Sequence, residues 1–289
     1  MLYIMGEKGY AVLDAILQNY KHLIAGVISE KDKSLKDDFY ASIQSKCAKE
    51  NIPFYHRQDN IEHHATYAFA VGWRWLLYLE DTEIIIFHDS LLPKYRGFNP
   101  LVSYLLNEET TIGVTALFAH KDFDCGDIID QKSTIIEYPI KLKEAIQKII
   151  PCYVDLVLKI CKNLSAGTRL QGTPQLDDEA TYSLWRDEED YNIDWTADAM
   201  YIKRFIDSLG LPYKGASTTL NGQKIRIIDS QVVPERKIEN RSPGKIIFKQ
   251  GEYPVVVCGQ GLLKLLSICD DESGEELIPL KKFRSRFGI

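Results

Sequence analysis

The chain has 289 residues, with 45% hydrophobic and 26% charged residues. That is the mix of a globular protein, long enough for one large domain or two. Its formal net charge of -6 argues against nucleic acid as the main partner, because such proteins carry a basic field; a local basic patch remains compatible with it. The apolar runs fall far short of the ~18 residues a membrane span needs. Met1-Leu-Tyr-Ile-Met has no basic flank, so it reads as a first strand and not as a signal peptide.

The first half alternates strand and helix signals. Leu2-Tyr-Ile-Met is strand-like, Gly6-Glu-Lys-Gly9 reads as a turn, and residues 10–19 carry apolar residues at helical spacing. Residues 22–29 form the next strand, followed by a charged loop over 30–38, a helix over 39–51 and a return to the sheet at Pro53-Phe-Tyr. Thr66-Tyr-Ala-Phe-Ala-Val is another strand, ending at Gly72-Trp-Arg-Trp. Glu83-Ile-Ile-Ile-Phe is short, apolar and β-branched, and reads as a buried strand. It delivers His88 to its carboxyl end, where Ser90-Leu-Leu-Pro93 breaks it. In open α/β sheets the ligand crevice lies at such strand ends. Residues 99–107 predict a short helix and 112–118 a strand; residues 142–164 predict a long helix that Pro151 should kink or interrupt. Alternating strands and helices imply a parallel sheet with right-handed crossovers.

After Gly172-Thr-Pro174 the character changes to an amphipathic helix over 196–209 and then short strands with turn punctuation. Asn221-Gly222 between apolar runs is a hairpin signal. The fold class is therefore α/β: a Rossmann-like domain over 1–170, then a linker and a small β-rich, barrel-like domain over 171–289. The six cysteines form no Cys-x-x-Cys pair and no zinc spacing with a histidine. They read as core residues of a reducing, cytoplasmic protein. His63-His64 has no further ligands nearby in sequence, so no metal is expected.

His88-Asp-Ser-Leu-Leu-Pro-Lys-Tyr-Arg-Gly97, Asn107-Glu-Glu-Thr-Thr-Ile-Gly-Val-Thr and Asp124-Cys-Gly-Asp-Ile-Ile-Asp-Gln131 together resemble the 10-formyltetrahydrofolate-dependent formyltransferases. The run from Ser90 to Gly97 is most similar to the sugar N-formyltransferases. Pro174-Gln175, Ala180-Thr-Tyr-Ser, Ile193-Asp-Trp195 and Gly261-Leu-Leu-Lys-Leu-Leu-Ser-Ile resemble the C-terminal part of methionyl-tRNA formyltransferase.

The resemblance implies transfer of a formyl group from 10-formyltetrahydrofolate to the amine of a small-molecule acceptor, a nucleotide-linked amino sugar. The alternatives are a methionyl-tRNA formyltransferase-like enzyme, a formyl-folate hydrolase and a non-catalytic folate-binding protein. The charged 30–38 loop is short and mixed in sign, where the tRNA enzymes are expected to carry a longer basic insertion. In the family an Asn, a His two residues later and an Asp share the work of deprotonating the amine and stabilising the oxyanion. His88 and Asp124 match the last two. The Asn position is Ile86, whose side chain donates nothing, and loss of such a donor costs on the order of 100- to 1000-fold in rate.

The resemblance also sets the pterin against Trp73, Arg74, Trp75 and Leu76, with Ile86, Cys125, Gly126 and Asp127 opposite. The candidate contacts to the acceptor are Gly6, Lys8 and Gly9, at a helix N-terminus that favours phosphate, together with Ser90, Lys94 and Arg96. The β-rich tail is a candidate surface for a homodimer.

Overall fold

The computed structural model describes every residue except Lys36, Asn60 and Ile289. The chain divides into two compact units. The first holds Met1–Tyr104, Glu109–Ile136 and Glu144–Trp185; the second holds Leu105–Glu108, Glu137–Lys143 and the chain from Arg186 on. Residues 171–185, within the stretch read as linker and C-terminal domain, hydrogen-bond into the first unit, Thr173 with Ile128 and Gln175 with Arg96.

A seven-stranded sheet organises the first unit. Its strands are β1 (Leu2–Ile4), β2 (Val27–Ser29), β3 (Phe54–His56), β4 (Tyr67–Val71), β5 (Glu83–His88), β7 (Thr111–Phe118) and β8 (Ile128–Ile135). A two-residue β6 (Arg96–Gly97) pairs instead with β9 (Tyr182–Ser183). The order in the large sheet is β3-β2-β1-β4-β5-β7-β8. Neighbours from β3 to β5 are parallel, while β7 and β8 run antiparallel. The chain works outward from β1 to β3 and then crosses to β4 on the other side. A switch point therefore lies between β1 and β4, beside the carboxyl end of β5. The parallel sheet inferred from alternation is thus a mixed one. The strand β8 was not foreseen, because its half-exposed middle, Asp-Gln-Lys-Ser, carries no apolar run.

The register sorts side chains onto two faces. Tyr3, Ala70 and Ile86 lie in one row, Ala70 pairing with each of the other two. On their face Met1, Tyr3, Ile28 and Ala68 are buried beneath Trp73, Leu77, Leu79 and Ile84. The row of Ile4, Val71 and Phe87 faces the other way. There Phe87 meets Phe69 and Tyr153, the latter on α4 (Leu142–Ser165).

The helix α1 (Gly6–Tyr20) begins at Gly6, so Gly6-Glu-Lys-Gly9 is its first turn and not a separate loop. At Gly9 a Cβ would lie 3.0 Å from that of Ile4, so glycine lets helix and strand pack closely. α2 (Tyr40–Lys49) and α3 (Pro100–Leu106) complete the helices before α4. Pro151 sits within α4 without interrupting it. One lost backbone bond is outweighed by a buried stripe that includes Ile149, Tyr153, Leu156, Val157 and Ile160.

The second unit pairs α5 (Ala199–Ser208), capped by Asp198, with five antiparallel strands. These are β10 (Ala216–Leu220), β11 (Gln223–Val233), β12 (Ile246–Gln250), β13 (Tyr253–Val257) and β14 (Leu262–Asp270), in the order β10-β11-β14-β13-β12. Asn221 and Gly222 both have positive φ, 53° and 81°, as a two-residue hairpin turn requires. The C-terminal segment bridges both edges of this sheet, Phe287 to Leu220 and Arg286 to Lys245, giving the barrel-like closure. Among the described residues no helix is long and apolar enough to cross a membrane.

Candidate active site

His88 is the last residue of β5 and is 8% exposed. Its Nε2 lies 2.9 Å from the carbonyl oxygen of Tyr95. Its Nδ1 lies 3.5 Å from Oδ1 of Asp124, an ion-pair distance and not a close hydrogen bond. A carbonyl only accepts, so this geometry has Nε2 carry a proton and donate it to Tyr95, while Nδ1 faces the Asp124 carboxylate. The other carboxylate oxygen of Asp124 accepts the backbone N–H of Gly97 at 2.9 Å.

Asp124 reaches His88 by an indirect route. β7 runs antiparallel to β5, so Phe118 at its end pairs with Ile85, while Thr115 pairs with His88. The loop after Phe118 folds back along the sheet to bring Asp124 to the histidine. Asp124 adopts a left-handed φ of 55° there, a conformation that residues other than glycine take at a cost and that clusters at functional sites. A Cβ on Gly126 would lie 1.8 Å from the carbonyl oxygen of Phe118. Only glycine permits so tight a return.

Two glutamines hold the loops in place. Gln175 donates through Nε2 to the carbonyls of Asp124 and Gly126, both at 2.8 Å. Its Oε1 accepts from Nε and Nη2 of Arg96 at 3.1 and 2.9 Å. Gln131 donates to the Leu92 carbonyl and to Oγ1 of Thr115. Thr115 in turn donates to the Ser90 carbonyl and accepts from the Leu92 N–H. The Ser-Leu-Leu-Pro turn is thereby clamped to β7 and β8. Neither glutamine was singled out from the sequence as a site residue. Both stand inside matched segments, but nothing local tells an anchoring amide from a solvated one.

Two expected acceptor contacts are corrected by burial. Ser90 is fully buried and donates to the Lys94 carbonyl, so it closes its own turn. Arg96 is 2% exposed. Its guanidinium is taken up by Gln175 and by Asp177 at 2.9 Å, so it braces the Asp124 loop. Lys94 is exposed. Lys8, in the first turn of α1, pairs with Asp89. Gly6 opens that helix with a positive φ of 65°. Cys125 donates to the Phe123 carbonyl at 3.1 Å, and burial pushes its thiol up, away from nucleophile chemistry. Asp127 is exposed.

The segment after β4 lies over the face that carries Ile86 and His88. The Trp73 ring packs edge-on to Tyr3 at 5.3 Å and to Trp75 at 5.1 Å. Arg74 pairs with Asp32 at 2.5 Å, Arg57 stacks on Trp75 at 4.5 Å, and Leu76 is exposed. The indole N–H of Trp73 is buried without an acceptor. Such an orphan donor is costly unless something completes it. Among the described residues no cluster of His, Cys, Asp and Glu is arranged to hold a metal ion.

Residues 75–149 match the formyl transferase family, and residues 186–278 match the formyl transferase C-terminal domain. The chain belongs to the formyltransferase family. It is an enzyme of formyl transfer, and 10-formyltetrahydrofolate is the donor the family uses. The methionyl-tRNA formyltransferase of Caldanaerobacter subterraneus is 28% identical over 274 residues, covering 92% of this chain and 87% of the relative. The N-formyltransferase of Helicobacter canadensis, solved with folinic acid and dTDP-3-aminofucose, superposes with a TM-score of 0.65 at 17% identity, covering 91% of this chain and 97% of that one. HypX of Aquifex aeolicus superposes at 0.63 with 16% identity over 88% of this chain. The chain spans 45% of HypX, just under half of that protein.

Proposed function

We propose that the protein transfers a formyl group from 10-formyltetrahydrofolate to the amine of a nucleotide-linked amino sugar. The observation that carries the choice of acceptor is the loop after β2. It is short and turns on its own acids: Asp32 N–H donates to Asp38, and Ser34 donates to Asp32. Arg74 holds Asp32 against the segment after β4. Lys36 of this loop lies outside the described residues. A surface meeting tRNA phosphates needs an excess of cations, and residues 30–38 carry four acids against three lysines. The dTDP-linked amino sugar bound by the Helicobacter canadensis enzyme supports the same reading.

The formyl donor brings an activated acyl carbon and a pterin rich in amide-like groups. Trp73 fits it, because its buried indole N–H has no acceptor of its own. Asp124 takes the proton from the acceptor amine, directly or through a water, since a carboxylate fixed by the Gly97 N–H is aimed at the end of β5. His88, protonated at both nitrogens, donates where negative charge develops, giving up the Tyr95 carbonyl to do so. Ile86 contributes apolar surface on the same face and no hydrogen bond. The six unpaired cysteines accord with a reducing, cytoplasmic setting.

The test is a screen of nucleotide-linked amino sugars with the formyl donor, read as the mass gain of one formyl group. A second reading, an aminoacyl-tRNA acceptor, is favoured by the methionyl-tRNA formyltransferase relative and by a pocket in the second unit lined by Lys245, Arg284 and Arg286. Formylation of charged initiator tRNA with no amino sugar modified would replace the first reading with the second.

A further inference from the structure

The second unit gathers cations that its fold leaves without acids. The C-terminal segment runs along β12, with Arg286 paired to Lys245 across an antiparallel bridge. Directly opposed residues project to the same side, and like charges so placed repel. Arg284 lies on the same face as Arg286, because the residues that alternate with them, Ser285 and Phe287, are the buried ones. Lys245, Arg284 and Arg286 line one cavity of about 650 Å³, to which Asn221 and Gly222 bring the β10–β11 turn. Among the described residues no acid lines that cavity and no carboxylate pairs with any of the three cations. Lys224, Arg226 and Arg241 of the same unit each hold a carboxylate.

The backbone locks this register, so the cations stay together. The Phe287 N–H donates to the Gly244 carbonyl at 2.8 Å, and the Lys245 carbonyl accepts from the Val257 N–H at 2.9 Å. A Cβ on Gly244 would lie 2.3 Å from the Phe287 carbonyl oxygen, so glycine lets the two strands close. Nε of Arg286 donates to the Pro243 carbonyl at 3.2 Å, which orients the guanidinium and leaves its terminal nitrogens for another acceptor. In a chain of formal net charge -6, three fixed cations around an acid-free cavity form a local field of the opposite sign, which concentrates anions.

We propose that this seam is a binding site for a compact phosphate-bearing anion, with a diphosphate as the class that fits. Opposed residues stand about 5 Å apart at Cβ, and residues two apart on a strand about 7 Å. The three charges therefore converge on one or two phosphate groups. A nucleic-acid surface draws on more, on the order of 6–10 phosphate contacts. The two arginines supply planar forks for pairs of phosphate oxygens, and the lysine a single charged donor. The diphosphate can be free or part of a nucleoside diphosphate, since the seam reads the same oxygens in both. The site lies wholly in the second unit and does not depend on which acceptor is formylated.

The test is calorimetric titration of the full chain with inorganic pyrophosphate, dTDP, thymidine and initiator tRNA at physiological salt. Pyrophosphate should saturate one site with a Kd below about 1 mM, and thymidine should not bind there. Arg284→Ala combined with Arg286→Ala should weaken pyrophosphate at least about tenfold, the size of one lost charge-assisted hydrogen bond. The part of dTDP binding lost in that variant belongs to the seam. If it is tighter than pyrophosphate the source is a nucleotide, and if equal the phosphates alone are read; both support the site. Arg286→Glu faces Lys245 with an opposite charge. Without ligand it should melt about 1–2 °C higher than the parent, and pyrophosphate should no longer raise its melting temperature. Absence of saturable pyrophosphate binding overturns the proposal, as does binding that the double variant leaves unchanged or a lowered melting temperature in Arg286→Glu. Binding of tRNA that pyrophosphate does not displace overturns it in favour of a nucleic-acid surface.

Discussion

His88 and Asp124 are set against each other and against backbone groups, Tyr95 C=O on one side and Gly97 N–H on the other. His88→Ala and Asp124→Asn should each lower turnover by at least ~100-fold, as loss of a positioned proton-transfer group does. Near-normal rates on the true acceptor would refute the assignment. Because the proposed step uses His88 as the cation, activity should fall as pH rises from about 6 to about 9, the window that spans ordinary imidazole titration. Ile86→Asn should flatten that fall by adding a neutral donor. A rate that keeps climbing across the window in the parent enzyme would point to a backbone N–H as the donor instead. Asp89 adds a stability term of known sign. Its folded pKa lies below the ordinary carboxylate value, so its contribution is complete above about pH 4 and is lost as pH falls through the folded pKa. The stability gap between the parent and Asp89→Asn should shrink in acid. Denaturant melts at pH 7 and pH 3 measure it, and an equal gap at both would contradict the depressed pKa.

At the scale of elements, the site is built by one loop that returns over its own sheet and one glutamine that pins it. Gln175→Ala would leave the Asp124 and Gly126 carbonyls and the buried Arg96 short of partners. It should cost on the order of 1–3 kcal/mol of stability and lower turnover by roughly tenfold or more, since a small misplacement of a catalytic group is expensive. Stability loss with unchanged turnover would show that the loop holds Asp124 without it. Gly126→Ala forces a Cβ into the Phe118 carbonyl, and overpacking of this kind typically costs about 1–3 kcal/mol. Strand β5 and its histidine were legible in the sequence because an apolar, β-branched run ending in a turn is a local signal. The fold-back of the Asp124 loop was not. It follows from β7 running antiparallel, and the crossover after β5 carries no local mark of direction.

At the scale of the molecule, the second unit is closed by its own C-terminal segment. Phe287 is 1% exposed and packs 5.4 Å from the Trp195 ring. Its backbone bonds to Gly244, and the next residue bonds to Thr219, so one short segment joins the β12 and β10 sides. Phe287→Ala should cost about 3–5 kcal/mol, seen as an earlier unfolding transition of this unit. A shift no larger than a surface substitution gives would mean the sheet stands without the closure. The net charge of -6 predicts weak tRNA binding at physiological salt. Sub-micromolar affinity for initiator tRNA would favour the second acceptor class and give the basic pocket at Lys245, Arg284 and Arg286 its role.

Motif order and hydrophobic periodicity determined the α/β class, the β-rich tail and the family, and they marked His88 and Asp124 as the acid–base candidates, because each is written in contiguous residues. Lys8 and Asp89, Arg96 and Gln175, and Phe287 and Trp195 stand far apart in the chain, and no local pattern pairs them. The sequence reading offered Ser90 and Arg96 to the substrate because polar residues in a turn look solvent-facing. Tertiary packing buried both and spent their hydrogen bonds on the scaffold. The same packing turned Gly6-Glu-Lys-Gly9 into a helical first turn and aimed Lys8 at Asp89. Which polar groups face a ligand and which brace the site depends on where the chain returns in space, and only the tertiary structure decided that.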